Sequence, residues 1–573
     1  MTFTETVRFF LDEAARFVSP LTVAIQWELV FLGALLIWLA PGTLGKRLQP
    51  LKTKFARLAH HRGAAIVFCG LLPVVIRLLL LGLYPVPEPS IHDEFSHLLL
   101  ADTLVHGRLT NPPHPLWQHF ESIHIIQQPT YTSMYPPGQG AFLAFGEWLF
   151  HEPWAGVVLS VGLMFAATCW MMQVWLQDKW ALWGTLVAIL AFGVTTLWMN
   201  SYLGGAVSSI GGALVLGAAR RLRQNLAIRN SLLLGAGAVL LMNTRPFEGL
   251  VLTGASLVYL AAGVPLRAWA RIAVPAGLLL TAGLAFTGYY NWRVTGSAMR
   301  LPYEVNRETY GWPENLGILP AKQVTIRHRV LRDMYQKEIA HHSIYGSWHA
   351  FLDSLDVRAF ENWAFFCGPV LTVPLLFLPS VFSDRRTRPI VVIVGVMLGL
   401  NLFQMLLYPY HLGPVIPAIF VVIAQGARHL YAVLSRNRPA RGLAFALLLP
   451  ICVAAASTLK LEADDLKLPL TYWEHGAEAH GEARAYLQHW LSNRPRKQLV
   501  IVHYSRHHSP DQEWVYNGAD IDGSKVVWAR EMDPASDAEL LRYYKDREVW
   551  LLNADATPQR VVPYDTNSEL CKP

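Results

Sequence analysis

Residues 154–176 read WAGVVLSVGLMFAATCWMMQVWL. No side chain in this stretch is charged, and it is long enough to cross a bilayer as a helix. Similar apolar runs, most of about 17–22 residues and one of about 13, recur along the chain. They fall near 24–41, 64–84, 180–199, 202–219, 231–243, 247–263, 272–290, 361–382, 389–408, 413–434 and 442–458. The spacing predicts an all-α polytopic membrane protein of about 12–13 transmembrane helices. Composition agrees: of 573 residues, 53% are hydrophobic and only 16% are charged, against roughly 25% charged in a soluble domain. There is too little charge to coat a soluble surface. Disorder and a disulfide-stapled fold are excluded on the same ground.

The net charge of +7 is carried by short clusters between the apolar runs, and no nucleic-acid partner is expected. Lys46-Arg47, Arg220-Arg221-Arg223, Arg267 with Arg271, Arg385-Arg386-Arg388 and Arg436-Arg438-Arg441 mark cytoplasmic loops by the positive-inside rule. Three segments then face outward, about 85–137, 291–360 and 459–573. Residues 138–151, GQGAFLAFGEWLFH, are helical in pattern but short, and read as a partial or membrane-surface helix. Before residue 20, Glu5, Arg8, Asp12, Glu13 and Arg16 fit an interfacial amphipathic helix better than a signal peptide. The domain organisation expected is a transmembrane domain over 1–458 with two outer loops, followed by a small α/β domain over 459–573. In that tail KQLVIVHYS (497–505) and REVWLLNAD (547–555) read as strands, with ASDAELLRYYKD (535–546) as a helix between them.

The first outer loop is the densest in chemistry. Three prolines in Tyr84-Pro85-Val86-Pro87-Glu88-Pro89 end the second span. Ser90 then suits the N-cap of a helix running to about His106 and stopped by Gly107. Asp93 and Glu94 are adjacent, so on a helix they point about 100° apart and cannot share one task. Asp93 has two readings. It is a first-turn carboxylate favoured by the helix dipole, or an ionisable group kept at membrane depth for chemistry. His97 shares its face. The histidines at 114, 119 and 124 recur every five residues, which matches no helix or strand face and gives no metal-ligand set.

An acidic Asp93-Glu94 pair framed by proline-broken segments, followed by Tyr135-Pro136-Pro137-Gly138 opening the next helix, resembles the first outer loop of GT-C glycosyltransferases. The protein O-mannosyltransferases and bacterial aminoarabinose transferases (family 39) are the nearest comparison. The resemblance implies the GT-C fold and a sugar donor linked to a polyprenyl or dolichyl phosphate. It maps the family's acidic motif onto Asp93-Glu94 and its Lys-Pro-Pro or His-Pro-Pro onto Tyr135-Pro136-Pro137. Tyr135 stands where relatives carry a basic residue, so the phosphate must be met elsewhere.

Asn243-Thr244-Arg245-Pro246-Phe247-Glu248 interrupts two half-length spans on the outer side. Arg245 and Glu248 either pair with each other or leave Arg245 to bind phosphate through its planar guanidinium. Arg300 in the second outer segment and His411 at the outer end of a span are further candidates for the phosphate. Tyr135, Glu248 and Trp117 are candidates for the substrate, Trp117 by stacking on a sugar face. The assignment reached is a glycosyltransferase of a bacterial inner membrane with its active site on the periplasmic side. It would move a sugar from a polyprenyl-phosphate donor to a glycan, lipid or protein acceptor. Asp93 would act as base, with Glu94 orienting the acceptor or steadying the loop and His97 tuning Asp93. Membrane lipids surround it. No cofactor is expected, because the carrier phosphate is itself the leaving group; a divalent metal is the alternative left open. The competing expectation is a transporter or flippase for a lipid-linked or small polar substrate, since helices broken near Arg245-Pro246 occur in such proteins.

Overall fold

The computed structural model describes residues 20–311, 324–342, 348–404, 409–465 and 472–564. The helix expected before residue 20 lies outside them. Among the described residues five helices are long and apolar enough to cross a membrane: Arg62–Leu79, Pro153–Trp175, Ala270–Thr295, Tyr410–Ser435 and Pro439–Thr458. Shorter apolar helices cover Thr22–Trp38, Ile228–Met242, Pro246–Ala261 and Arg388–Phe403. Asp178–Phe192 and Gly205–Leu222 lie in the expected spans at 180–199 and 202–219. The span expected at 361–382 is instead divided into Leu355–Phe366, Gly368–Leu375 and Leu378–Ser383. Gly368 takes φ +54, a left-handed backbone that glycine adopts without steric cost, and Pro369 and Pro374 remove backbone donors.

Helix Pro137–Phe150 has 14 residues. That gives it a length of about 21 Å, short of a hydrocarbon core of about 30 Å. Trp148 and Phe150 are exposed at its far end.

The first outer loop hangs from the second span by Arg77. Its guanidinium donates to Asn200 Oδ1, the Tyr84 carbonyl and the Pro85 carbonyl, each at 2.8 Å, and lies 4.6 Å from the Trp154 ring centre. A fully buried arginine is tolerable because its donors are met. It fixes where the proline turn leaves the membrane domain. The loop then forms helix His92–Val105 and a ribbon of β1 (Ile125–Ile126) and β2 (Thr132–Ser133), antiparallel with Ile125 opposite Ser133.

The tail contributes β3 (Gln498–His503), β4 (Val526–Arg530), β5 (Glu548–Asn553) and β6 (Val561–Pro563). Their order is β4-β3-β5-β6, with β3 parallel to both neighbours and β6 antiparallel to β5. The near-continuous apolar run Leu499-Val500-Ile501-Val502 fits a central strand covered on both faces. One face packs on the first outer loop. Leu499, Ile501, Val527 and Leu551 join Phe95, Leu99, Leu116 and Phe120 in a single buried cluster. Tyr516 stacks on Phe95 at 4.1 Å and 6°, and the Ala519 amide donates to Asp102 Oδ2 at 2.6 Å. The tail is therefore built onto the loop that carries Asp93.

Candidate active site

Glu94 does the capping. Its Oε2 accepts from the backbone amides of Ser90 (2.8 Å) and Ile91 (3.1 Å), and its Oε1 accepts from the Tyr202 amide (2.9 Å). Ile91, with extended backbone, occupies the N-cap position in place of Ser90, and Glu94 reaches back from the third helical position. Glu94 is buried and holds three backbone amides, so it steadies the loop. Burial pushes its carboxyl above the ordinary value, against the lowering effect of those three amides. Glu94→Ala leaves the Tyr202 amide and the first-turn amides unmet. A loss of about 1–3 kcal/mol is expected, read as a lowered Tm of the purified protein.

Asp93 is thereby released from helix capping. Its Oδ1 accepts the Tyr135 hydroxyl in a close hydrogen bond and lies 3.2 Å from His124 Nδ1. Its Oδ2 takes no hydrogen bond from any described residue, and the side chain keeps 21% of its surface exposed. Burial would raise this carboxyl, but the charge and hydrogen bond of His124 and the Tyr135 hydroxyl outweigh it. Asp93 is held well below the usual carboxylate range.

His97, one turn on, is 8% exposed and lies against Tyr135 with ring centres 4.6 Å apart. Its Nδ1 is enclosed without a partner. Burial pushes its imidazole down to about 4, opposed by Asp93 and reinforced by Arg245.

The Tyr135-Pro136-Pro137-Gly138 turn is clamped to the Asn243-Thr244-Arg245 turn. The Gly138 amide donates to the Asn243 carbonyl at 2.7 Å. A Cβ on Gly138 would stand 2.4 Å from Thr244 Cγ2 and 2.5 Å from that carbonyl oxygen. Only glycine permits the approach. Two motifs separated by a hundred residues of chain thus share one wall. Gly138→Ala is expected to cost about 1–3 kcal/mol through the forced separation, measured as a drop in Tm.

Arg245 stands at the N-cap of helix Pro246–Ala261. Its guanidinium makes no hydrogen bond or ion pair with any described residue; its one ring contact is Tyr410, 5.9 Å away. Glu248, expected to pair with it or to bind substrate, is buried and accepts from Gln404 Nε2 at 2.9 Å instead. Arg245 acts electrostatically on His97 and Tyr303, and Asp93 acts on Tyr303, Tyr410 and His411. Asp93, His97, Tyr135, Arg245 and His411 thus each lie within electrostatic reach of one or more of the others.

Other candidates fall elsewhere. Arg300 pairs closely with Glu308 at the surface, so its charge is already met. Trp117 lies under Arg327, 5.1 Å from ring centre to guanidinium, in the part of the loop that supports the tail. Sequence reasoning missed His124 as an Asp93 partner, because its side chain is aimed by a left-handed backbone (φ +62) that no periodicity reports. It also missed Tyr303, whose ring meets Tyr135 at 5.5 Å, edge on. Glu338 had a readable signal. It is the lone acid on the buried stripe Leu331-Met334-Tyr335-Glu338 of helix Arg329–His342.

No family description and no curated protein matches the chain. Among solved structures the chain is similar to ArnT from Cupriavidus metallidurans in the apo state. The TM-score is 0.47 at 13% identity, over 84% of this chain and 92% of that one. It is also similar to an Archaeoglobus fulgidus oligosaccharyltransferase solved with zinc and sulfate, with TM-score 0.47 and 12% identity over 85% and 67%. A third similarity is to the arabinofuranosyltransferase AftD from Mycobacteria, with TM-score 0.43 and 15% identity over 85% and 35%.

Proposed function

We propose that this protein is a membrane glycosyltransferase that moves a sugar from a polyprenyl-phosphate donor to an acceptor hydroxyl on the periplasmic side of a bacterial inner membrane. One observation carries the reading. Asp93 has one carboxylate oxygen clamped by Tyr135 and His124, while Oδ2 is unengaged. Within electrostatic reach of the same groups stands Arg245, whose guanidinium makes no hydrogen bond or ion pair with any described residue.

The acceptor oxygen attacks the anomeric carbon as the bond from that carbon to the phosphate oxygen breaks. The acceptor proton passes to Asp93 Oδ2, and the polyprenyl phosphate leaves with the bonding pair. A carboxylate held this low is a weak base toward a neutral alcohol. It suits a late transfer, after the forming bond has made the alcohol oxygen strongly acidic. Tyr135 and His124 keep Asp93 ionised and aimed. Arg245 bears the charge that develops on the leaving phosphate, the task that Tyr135 cannot perform in place of a basic residue. His411 flanks the same phosphate position. Leu250, Leu257 and Val258 on the helix that starts after Arg245 are exposed and offer an apolar face for the isoprenoid.

The test is sugar transfer by the purified protein in nanodiscs, with undecaprenyl-phosphate sugars as donors and membrane glycolipids as acceptors. Product with a new glycosidic bond supports the reading. Movement of the donor between leaflets without product supports a flippase instead.

The pH dependence follows from the same groups. Asp93 lies below the ordinary carboxylate value, so it keeps its charge at every pH above that value and loses it only in stronger acid. His97, pushed down to about 4, is neutral at pH 7 and gains charge only as pH falls toward 4. Neither titrates between about pH 5 and 8, so neither Asp93 nor His97 is expected to give kcat/KM a limb there. A limb near pH 6.5 that disappears in His97→Gln would contradict this assignment.

A further inference from the structure

Two buried side-chain atoms, one of them on a residue within electrostatic reach of Asp93, have no hydrogen-bond partner among the described residues. Glu338 is 6% exposed. Its Oε2 is enclosed without a hydrogen-bond partner, and no described residue pairs with its carboxyl. Asn306, on helix Pro302–Tyr310, is 1% exposed, and its Nδ2 is also enclosed without a partner.

The two are linked through Tyr335, whose hydroxyl donates to Asn306 Oδ1 at 3.5 Å, leaving the amide nitrogen turned away. Tyr335 and Glu338 are three residues apart and share a helix face. Asp93 and Arg307 both lie within electrostatic reach of Glu338. Buried polar atoms in folded proteins are nearly always satisfied, and leaving one unmet is costly. Two of them flanking one tyrosine, one within electrostatic reach of the proposed base, point to a ligand that supplies the missing partners.

Resting on the transferase reading, we propose that Glu338 and Asn306 form a subsite that recognises a pair of hydroxyl groups on a sugar, either the one transferred or the one accepting it. Burial raises the Glu338 carboxyl well above its ordinary value. In its neutral form it both donates and accepts, while Asn306 Nδ2 donates. A polyol presents a donor and an acceptor at each hydroxyl and matches this set. A phosphate does not, because the carboxylates Asp93 and Asp511 are close and its place is at Arg245. An ammonium group is disfavoured by the nearby Arg307 and by the neutral carboxyl.

The test titrates three probes into the purified full-length protein in nanodiscs. They are undecaprenyl phosphate, undecaprenyl-phosphate-linked hexoses (glucose and mannose), and the free methyl glycosides of those hexoses. Glu338→Leu and Asn306→Leu are expected to weaken one sugar-bearing probe by about 10–100-fold and to bind undecaprenyl phosphate as wild type does. Loss confined to the lipid-linked hexose assigns the subsite to the donor. Loss confined to the methyl glycoside assigns it to the acceptor. Glu338→Gln, which keeps a donor and an acceptor, is expected to restore most of the affinity.

Stability separates this from a structural role. Removing an unmet buried polar group leaves Tm unchanged or raised. A lowered Tm in Glu338→Leu with unchanged sugar binding overturns the proposal. Unchanged affinity for both sugar probes in both leucine variants also overturns it, while wild-type transfer would leave the transferase reading standing. A wild type that binds no undecaprenyl phosphate and makes no product removes both.

Discussion

Asp93→Asn is expected to cut transfer by roughly 10²–10⁴-fold, the range that a positioned general base supplies. The replacement has nearly the same shape. Its amide oxygen can still accept the Tyr135 hydroxyl, so the loop keeps its place. What is lost is the acceptor at Oδ2, where an NH₂ group now presents hydrogens to an incoming alcohol. The charge beside His124 is lost with it. Fold and insertion do not depend on that oxygen, because the capping of helix His92–Val105 rests on Glu94. Single-turnover rates with saturating donor are the right readout, together with Tm and donor affinity close to wild type. Wild-type turnover in this variant would remove Asp93 from the base role.

Arg245→Ala is expected to lower kcat by about 10²–10³-fold, the usual cost of deleting one group aimed at developing charge. It should also raise KM for the polyprenyl donor while leaving acceptor KM alone. The asymmetry follows from its surroundings. The guanidinium makes no hydrogen bond or ion pair with a described carboxylate, and the buried Glu248 that feels its charge keeps its bond from Gln404, so the protein is expected to remain folded. Arg245→Lys is expected to recover only part of the activity, since an ammonium group does not reproduce the bidentate fork. An unchanged apparent affinity for the donor would contradict the phosphate role.

Much of the fold was legible because the bilayer imposes one demand, a long uncharged run, and the sequence meets it repeatedly. Two of the tail's four strands, β3 and β5, were legible for a related reason, as Val500-Ile501-Val502 and Trp550-Leu551-Leu552 are compact apolar runs; β4 and β6 were not read from the sequence. Boundaries set by local backbone were less so. The span near 361–382 is broken where Gly368 takes a left-handed conformation, a choice that hydropathy does not register.

In the site, spacing alone placed Asp93 and Glu94 on different faces of one helix, but it could not say which of the two caps the helix. That was decided by the Tyr202 amide, a hundred residues away in sequence. The joining of the Tyr135 and Arg245 motifs was also invisible, since it rests on one glycine contact between two turns. Arg300 was misleading because a charge in a loop does not announce its partner. Here the partner is Glu308, two helical turns further on.

The central claim is that Asp93 receives a proton as a sugar leaves its lipid phosphate. The most direct measurement gives purified wild type and Asp93→Asn, side by side in nanodiscs, an undecaprenyl-phosphate sugar labelled in the sugar ring, with extracted membrane glycolipids as acceptors. Mass spectrometry follows both the labelled product and the freed undecaprenyl phosphate. The account predicts that wild type forms the two in equal amounts and that Asp93→Asn, though folded and donor-bound, forms neither at a comparable rate. Equal product from both proteins, or donor that crosses the bilayer with its sugar still attached, would contradict it.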